Sequence, residues 1–298
     1  MSQPVTVQTE PFVEGLTFGE SPRWHEGRLW YADFYDKTVR SASESGDVRV
    51  EVEVPGEPGG LGWLPDGRLL VVARKPRTVM RLEADGRLVE HGDLKPTATF
   101  YGNEMVVDSV GRAYVGNFGF DLDGFIDEHG ATALVEPPGP PTTALVRIDP
   151  DGSAHVAAAD LCFPNGTVIT PDGGTMIVAE TLAGRLTAFE IGDNGELSGR
   201  REWASVPWFA PDGICLDAEG QVWVANAITS ECMLIAEGGE VIDRKTTSQN
   251  SFACMLGGAD GCTLFVMTAP TSTESVVSTS RTGRIERVRV DVPGAGLP

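Results

Sequence analysis

The chain has 298 residues, 41% of them hydrophobic and 22% charged, which is ordinary globular material for one large domain or two smaller ones. A net charge of −20 argues against nucleic acid and anionic membranes as partners, because both need clustered cations, and no apolar run approaches bilayer length. The start MSQPVTVQTEPF lacks a charged segment followed by an apolar core, and the five cysteines (Cys162, Cys215, Cys232, Cys254, Cys262) form no CxxC pair, so a cytoplasmic protein with reduced thiols is expected.

In chain order, VTVQTEPFV (5–13) reads as a strand with no partner of its own. WHEGRLWYAD (24–33) then begins a phrase of strand, Gly turn and strand that returns as LPDGRLLVVA (64–73), VDSVGRAYVGN (107–117), TPDGGTMIVAE (170–180), LDAEGQVWVAN (216–226) and GADGCTLFVMT (258–268). Anchored on Gly27, Gly67, Gly111, Gly174, Gly220 and Gly261, the steps are 40, 44, 63, 46 and 41 residues, the period of a repeat architecture. After the hairpin each unit carries weaker strands, such as TVRSAS and VRVEVEV in the first and RLTAFEI and REWASV in the fourth. Four strands per unit and six units predict an all-β, six-bladed propeller filling residues 1–298 as a single domain. A β-sandwich has no reason to repeat one phrase six times.

Two irregularities carry information. The last unit has residues for a third strand but not a fourth, so the N-terminal strand is expected to complete the sixth blade and close the ring, which removes an exposed edge. The long third step comes from an insertion, 118–143, bearing Phe118, Phe120 and Phe125 and ending in PPGPP. A loop of that length inside a compact repeat is usually functional, and its aromatic content predicts a lid packed across one face.

The residue entering each unit's first strand should point at one mouth of the central channel. Counting back from the anchor glycines gives Glu20 (GESPRW), Gly59 or Gly60 (PGGLGW), Asn103 (YGNEMVVD), Asn165 (FPNGTVI), Asp212 (APDGICLD) and the neighbourhood of Ala253 (SFACML). Asn and Asp beside Gly are also common turn residues. Four oxygen-bearing residues in register favour a shared site, whose carboxylates would repel one another unless neutralised. A hard divalent cation does that; Ca²⁺ suits irregular oxygen sets best, with Mg²⁺ and Mn²⁺ as alternatives and Zn²⁺ less natural without Cys or His. The four histidines show no paired metal spacing, and no GxSxG elbow is present. Trp208, next to Phe209 and just before Asp212, is a candidate pocket wall, and Cys254 a candidate pocket residue.

The phrases GESPRW, NEMVVDSVGRAYVGN, PNGTVITPDGGTMIVAET and PDGICLDAEGQVWVAN resemble the SMP-30/gluconolactonase/luciferin-regenerating-enzyme group, in that group's order and across nearly the whole chain. The resemblance implies a six-bladed propeller with one divalent metal at the channel mouth, held by Glu20, Asn165 and Asp212, with Asn103 near metal or substrate. It also implies a metal-dependent hydrolase that opens a lactone or a related ester, with Asp212 as general base or water activator and Glu20 supplying charge to the ion. Tyr101 stands where sugar-lactone members commonly carry Arg, and Glu104 follows Asn103 in place of Asp. With Phe118 and Phe120 nearby, Tyr101 predicts a substrate less polar than a sugar lactone. Phosphotriester hydrolysis at the same metal and a non-enzymatic calcium-binding propeller are the competing readings. A strictosidine-synthase-like condensing propeller would not require this oxygen-rich slot.

Overall fold

The structure, a computed structural model, describes residues 7–298. Six sheets, each with four antiparallel strands and one of them with a fifth, short parallel strand added at its edge, form the blades, and the chain enters each by its innermost strand. Those innermost strands are Gly19–His25, Pro58–Trp63, Gly102–Val107, Pro164–Ile169, Pro211–Leu216 and Asn250–Gly257, and each touches the next around a closed ring. The expected six-bladed propeller is therefore the observed fold.

The repeated phrase folds as expected because its turn is built for glycine. Gly67 sits at φ 83°, a conformation that costs other residues a Cβ clash, and in blade four the turn glycine is Gly173 at φ 72°, one residue ahead of the anchor used above. Blades pack face to face through β-branched and leucine side chains. Leu70, Val72, Val79, Met105, Val107 and Val115 fill the space between blades two and three, and Val168, Ile177, Ile214 and Val224 that between four and five. Each such side chain contributes roughly 1.5–3 kcal/mol of burial.

Closure follows the expected logic with shifted bounds. Glu10–Leu16 pairs antiparallel with Gly283–Arg289 and becomes the outer strand of blade six. Val7–Gln8 instead adds parallel to Val241–Thr246, the outer strand of blade five. Val5 and Thr6 of the expected strand lie outside the described residues. At the opposite face the C-terminal segment ties blades together, pairing Ile169 with Leu297 and Asp217 with Gly294.

Two helices interrupt the β pattern, and the sequence reading anticipated neither. The insertion after Asn117 forms α1, Leu122–His129, capped by Asp121, whose carboxylate accepts the Gly124 N–H, and then a 3-10 turn, Ala131–Leu134. Helix α2, Glu274–Ser280, lies between the second and third strands of blade six. No helix among the described residues is long and apolar enough to cross a membrane.

Candidate functional site

Each innermost strand breaks register at the slot identified above. The shift falls between Glu20 and Arg23, Pro58 and Leu61, Gly102 and Met105, Pro164 and Thr167, Pro211 and Ile214, and Ser251 and Ala253. Such bulges re-aim side chains, and here they coincide with the axial mouth. The glycine after Asn165 and Asp212 has a packing cause. A Cβ on Gly166 would lie 2.5 Å from the Asp212 carbonyl oxygen, and one on Gly213 2.5 Å from the Ala253 Cβ. Glycine there lets neighbouring strands close on the axis, which a simple turn would not require.

Glu20, Asn103, Asn165 and Asp212 are all buried and share one cavity of about 300 Å³. Asn103 Nδ2 donates to Asn165 Oδ1 at 3.1 Å, and Asn165 Nδ2 donates to Thr181 Oγ1 at 3.3 Å. The Thr181 hydroxyl donates to the Pro211 carbonyl at 2.8 Å, so its oxygen is left to accept and fixes which way the Asn165 amide faces. Beneath the mouth, Arg23 crosses three blades. Its Nη2 donates to Glu104 Oε2 and to the Met105 carbonyl, both at 2.7 Å, and its Nε donates to the Leu61 carbonyl at 3.0 Å.

The electrostatics of the mouth are unbalanced. Burial, with the Glu104 charge beside it, pushes the Glu20 carboxyl up to about 8, against smaller opposing effects of the Ser21 N–H, Arg74 and Arg23. Burial, followed by the charges of Glu20 and Glu104, raises Asp212 well above the usual carboxylate range. Asp212 Oδ1 is buried with no hydrogen-bond partner among the described residues. Among those residues no group of three or more His, Cys, Asp or Glu is arranged for a metal. Any cation here would rest on two carboxylates and an amide oxygen. That set still fits a hard ion: all donors are oxygen, one carboxylate oxygen is unpartnered, and the Asn165 carbonyl keeps a second lone pair beyond its bond from Asn103.

Phe34, Tyr35, Phe100, Tyr101, Phe118 and Phe163 line the cavity together with Ile126 and Leu134, and Glu57, Arg74, Lys75, Glu274 and the insertion's Asp121 and Asp123 add charge to it. Of the residues expected at the substrate, Tyr101 and Phe118 face the cavity. Phe120 does not; it packs behind, 6.2 Å from the Phe163 ring and 5.4 Å from Phe125. Trp208 is 58% exposed and lies outside the lining. Cys254 sits below the mouth, with its Sγ 3.8 Å from that of Cys215, and all five cysteines are free thiols.

Sequence reasoning missed Arg74, Lys75, Glu57, Thr181 and Glu274. None occupies the repeated slot, and only the exit of the second strand of blade two, just after Leu69–Ala73, would have pointed to Arg74.

A family model described as "SMP-30/Gluconolactonase/LRE-like region" matches residues 18–270. A 6-deoxy-6-sulfogluconolactonase of Pseudomonas putida is 26% identical over 291 residues, covering 94% of each chain. Among solved structures, a gluconolactonase of Xanthomonas campestris superposes with a TM-score of 0.72 at 25% identity, covering 95% of this chain and 88% of that one. A luciferin-regenerating enzyme reaches a TM-score of 0.79 at 20% identity, covering 99% and 98%, which speaks to the fold alone.

Proposed function

Because the chain belongs to the SMP-30/gluconolactonase/LRE-like family, we propose that it hydrolyses a lactone or a related ester at the axial mouth, with a divalent cation held by Glu20, Asn165 and Asp212. The gluconolactonase relatives support the reaction class. The observation that carries the reading is the buried, unpartnered Asp212 Oδ1 beside Glu20 in an aromatic-walled cavity. Ca²⁺ is the ion we favour on donor chemistry.

When bound, the cation supplies Lewis acidity to the carbonyl oxygen and negative-charge stabilisation as water adds. Glu20 and Asp212, whose carboxyls burial raises, would be the residues that hold it and would be ionised beside it. The Asp212 carboxylate then accepts the proton of the attacking water. The same proton returns to the ring oxygen as the acyl C–O bond breaks, leaving a hydroxy acid. Asn103 has a second N–H beyond the one given to Asn165, and it donates this to the oxygen on which charge develops. Tyr101, Phe118, Phe100 and Phe163 take the apolar part of the substrate, and the 118–143 insertion acts as a lid that excludes water from the mouth.

Asp212→Asn is expected to lower kcat for a turned-over lactone by about 10²–10⁴-fold, with the melting temperature unchanged or raised. Near-wild-type turnover would discard the assigned base. Chelation should abolish turnover, and re-addition of Ca²⁺, Mg²⁺, Mn²⁺ or Zn²⁺ should restore it selectively. Full activity in excess chelator would remove the metal from the scheme.

A further inference from the structure

Arg74 is a buried guanidinium with unspent hydrogen-bonding capacity. Only 5% of the residue is exposed, yet it lines the cavity. Its Nη1 donates to Glu57 Oε2 at 2.9 Å. Its Nε is a buried donor without a partner, and its Nη2 makes no hydrogen bond among the described residues. Buried donors are almost always satisfied, so a pair left open on a cavity wall calls for a ligand acceptor.

The fold also makes room for this side chain. Blade two has glycine at its slot, and a Cβ on Gly59 would lie 3.0 Å from Arg74 Cγ and 2.8 Å from the Asn103 carbonyl oxygen. The stem of Arg74 takes the space that a slot side chain would fill, so blade two presents a guanidinium where four other blades present oxygen. The group is held in place. Its Cζ lies 4.0 Å from the Phe34 ring centroid and 5.2 Å from that of Phe118, and Glu57 is gripped from its other oxygen by Lys75 at 2.5 Å. Planar, fixed guanidinium recognises oxygen acceptors better than a flexible ammonium does.

We propose that Arg74 is a specificity-determining residue: its free N–H groups bind an acceptor oxygen, hydroxyl or carboxylate, carried by the substrate beside the ester, next to the Phe118 ring that helps hold its apolar part. The substrate is thus an amphiphilic lactone with one polar edge. This rests on the hydrolase reading above and adds the group that orients the ring. It also returns to the site a guanidinium that the sequence placed nowhere near position 101.

The test compares glucono-δ-lactone with δ-valerolactone, the same ring stripped of its hydroxyls. The corresponding lactams serve as binding probes that need no turnover. Arg74→Met with Glu57→Gln removes both partners and leaves no buried carboxylate unpaired; Arg74→Lys keeps the charge and loses the fork. The ratio of kcat/KM for the two lactones, and the ratio of calorimetric affinities for the two lactams, should each fall about 10–100-fold in the double variant. If the double variant does not fold, Arg74→Lys must lower the same ratios by at least about tenfold. Ratios within threefold of wild type in a folded variant overturn the proposal while leaving hydrolysis intact. A wild type that hydrolyses neither lactone, but whose lactam preference collapses on substitution, rejects the hydrolase reading and keeps Arg74. A wild type that binds neither lactam and hydrolyses neither lactone rejects both.

Discussion

Glu180 ends the second strand of blade four, Thr175–Glu180, and its carboxylate collects the Cys162 N–H at 2.8 Å and the Arg185 Nε and Nη2 at 2.8 and 3.0 Å, together with the Thr187 hydroxyl. Burial alone would raise this carboxyl, but the bonds from Arg185, Thr187 and Cys162 outweigh it and hold Glu180 below the ordinary value of 4.5. The native state therefore binds the proton less tightly than the unfolded chain. Its contribution to stability is present above pH 4.5 and is lost as the pH falls through the lower native value. Glu180→Gln should cost about 2 kcal/mol at pH 7, and the gap from wild type should narrow in urea titrations carried down to pH 3. A gap of constant size would assign the loss to packing. Asp33, Asn117 and Asn226 hold the same end-of-strand position: Asp33 accepts the Phe18 N–H, Asn117 the Thr143 hydroxyl and Asn226 the Ala210 N–H. The endings YAD, VGN, VAE and VAN are visible in the repeat. Their purpose is not, because each partner lies on another stretch of chain that only the fold brings alongside.

At the scale of the strand, periodicity made the innermost strands and their slot residues legible, and Glu20, Asn103, Asn165 and Asp212 do meet. A side chain that enters out of register left no such trace. Arg74 leaves the second strand of its blade, and helix α1 buries no residue fully; its Phe125 packs on Phe120 just before the helix and on His129 within it. Arg23 belongs to the same class of hidden part. It lies on a slot strand, but its work is to join the strands of blades one, two and three through Leu61, Glu104 and Met105. Arg23 and Glu104 side chains are each 5% exposed. Removing one partner of such a pair leaves a buried charge and costs about 3–5 kcal/mol. Arg23→Met should be destabilised by that amount in chemical denaturation, and adding Glu104→Gln should return part of it, with a coupling energy of about 1–3 kcal/mol. Strictly additive losses would mean that Arg23 serves its carbonyl partners alone.

A propeller is as cooperative as its seam. Here the seam is drawn by the pairing of Glu10–Leu16 with Gly283–Arg289, and one buried carboxylate sits on it. Glu286 accepts the Thr268 hydroxyl at 3.0 Å, the Ser248 N–H at 3.1 Å, and the hydroxyls of Thr9 and Ser248. Those donors come from the N-terminal segment, from blade six and from the crossing that follows blade five, so one side chain fastens all three parts of the closure. Glu286→Ala removes the acceptor of four donors; Ser248 is exposed and can turn to water and the Thr9 hydroxyl can turn to the Thr246 carbonyl, so the buried Thr268 hydroxyl bears the main cost, about 1–3 kcal/mol. The loss should be local before it is global, because Glu286 fastens only the N-terminal segment, blade six and the crossing after blade five. In native-state hydrogen exchange, amides of 10–16 and 283–289 should lose protection well before those of blades two to four, while the mouth residues Asn103 and Asn165 keep theirs. Uniform loss of protection across all six blades would instead make the ring a single cooperative unit in which the seam has no weakness of its own. The C-terminal strap bears on the same question from the other face. Ile169 and Leu297 exchange backbone bonds at 2.8 and 2.9 Å, and Ala295 donates to the Leu216 carbonyl at 2.9 Å. These hold blades four and five, away from the seam, so the strap steadies the opposite face while Glu286 and the ladder of 10–16 with 283–289 hold the closure.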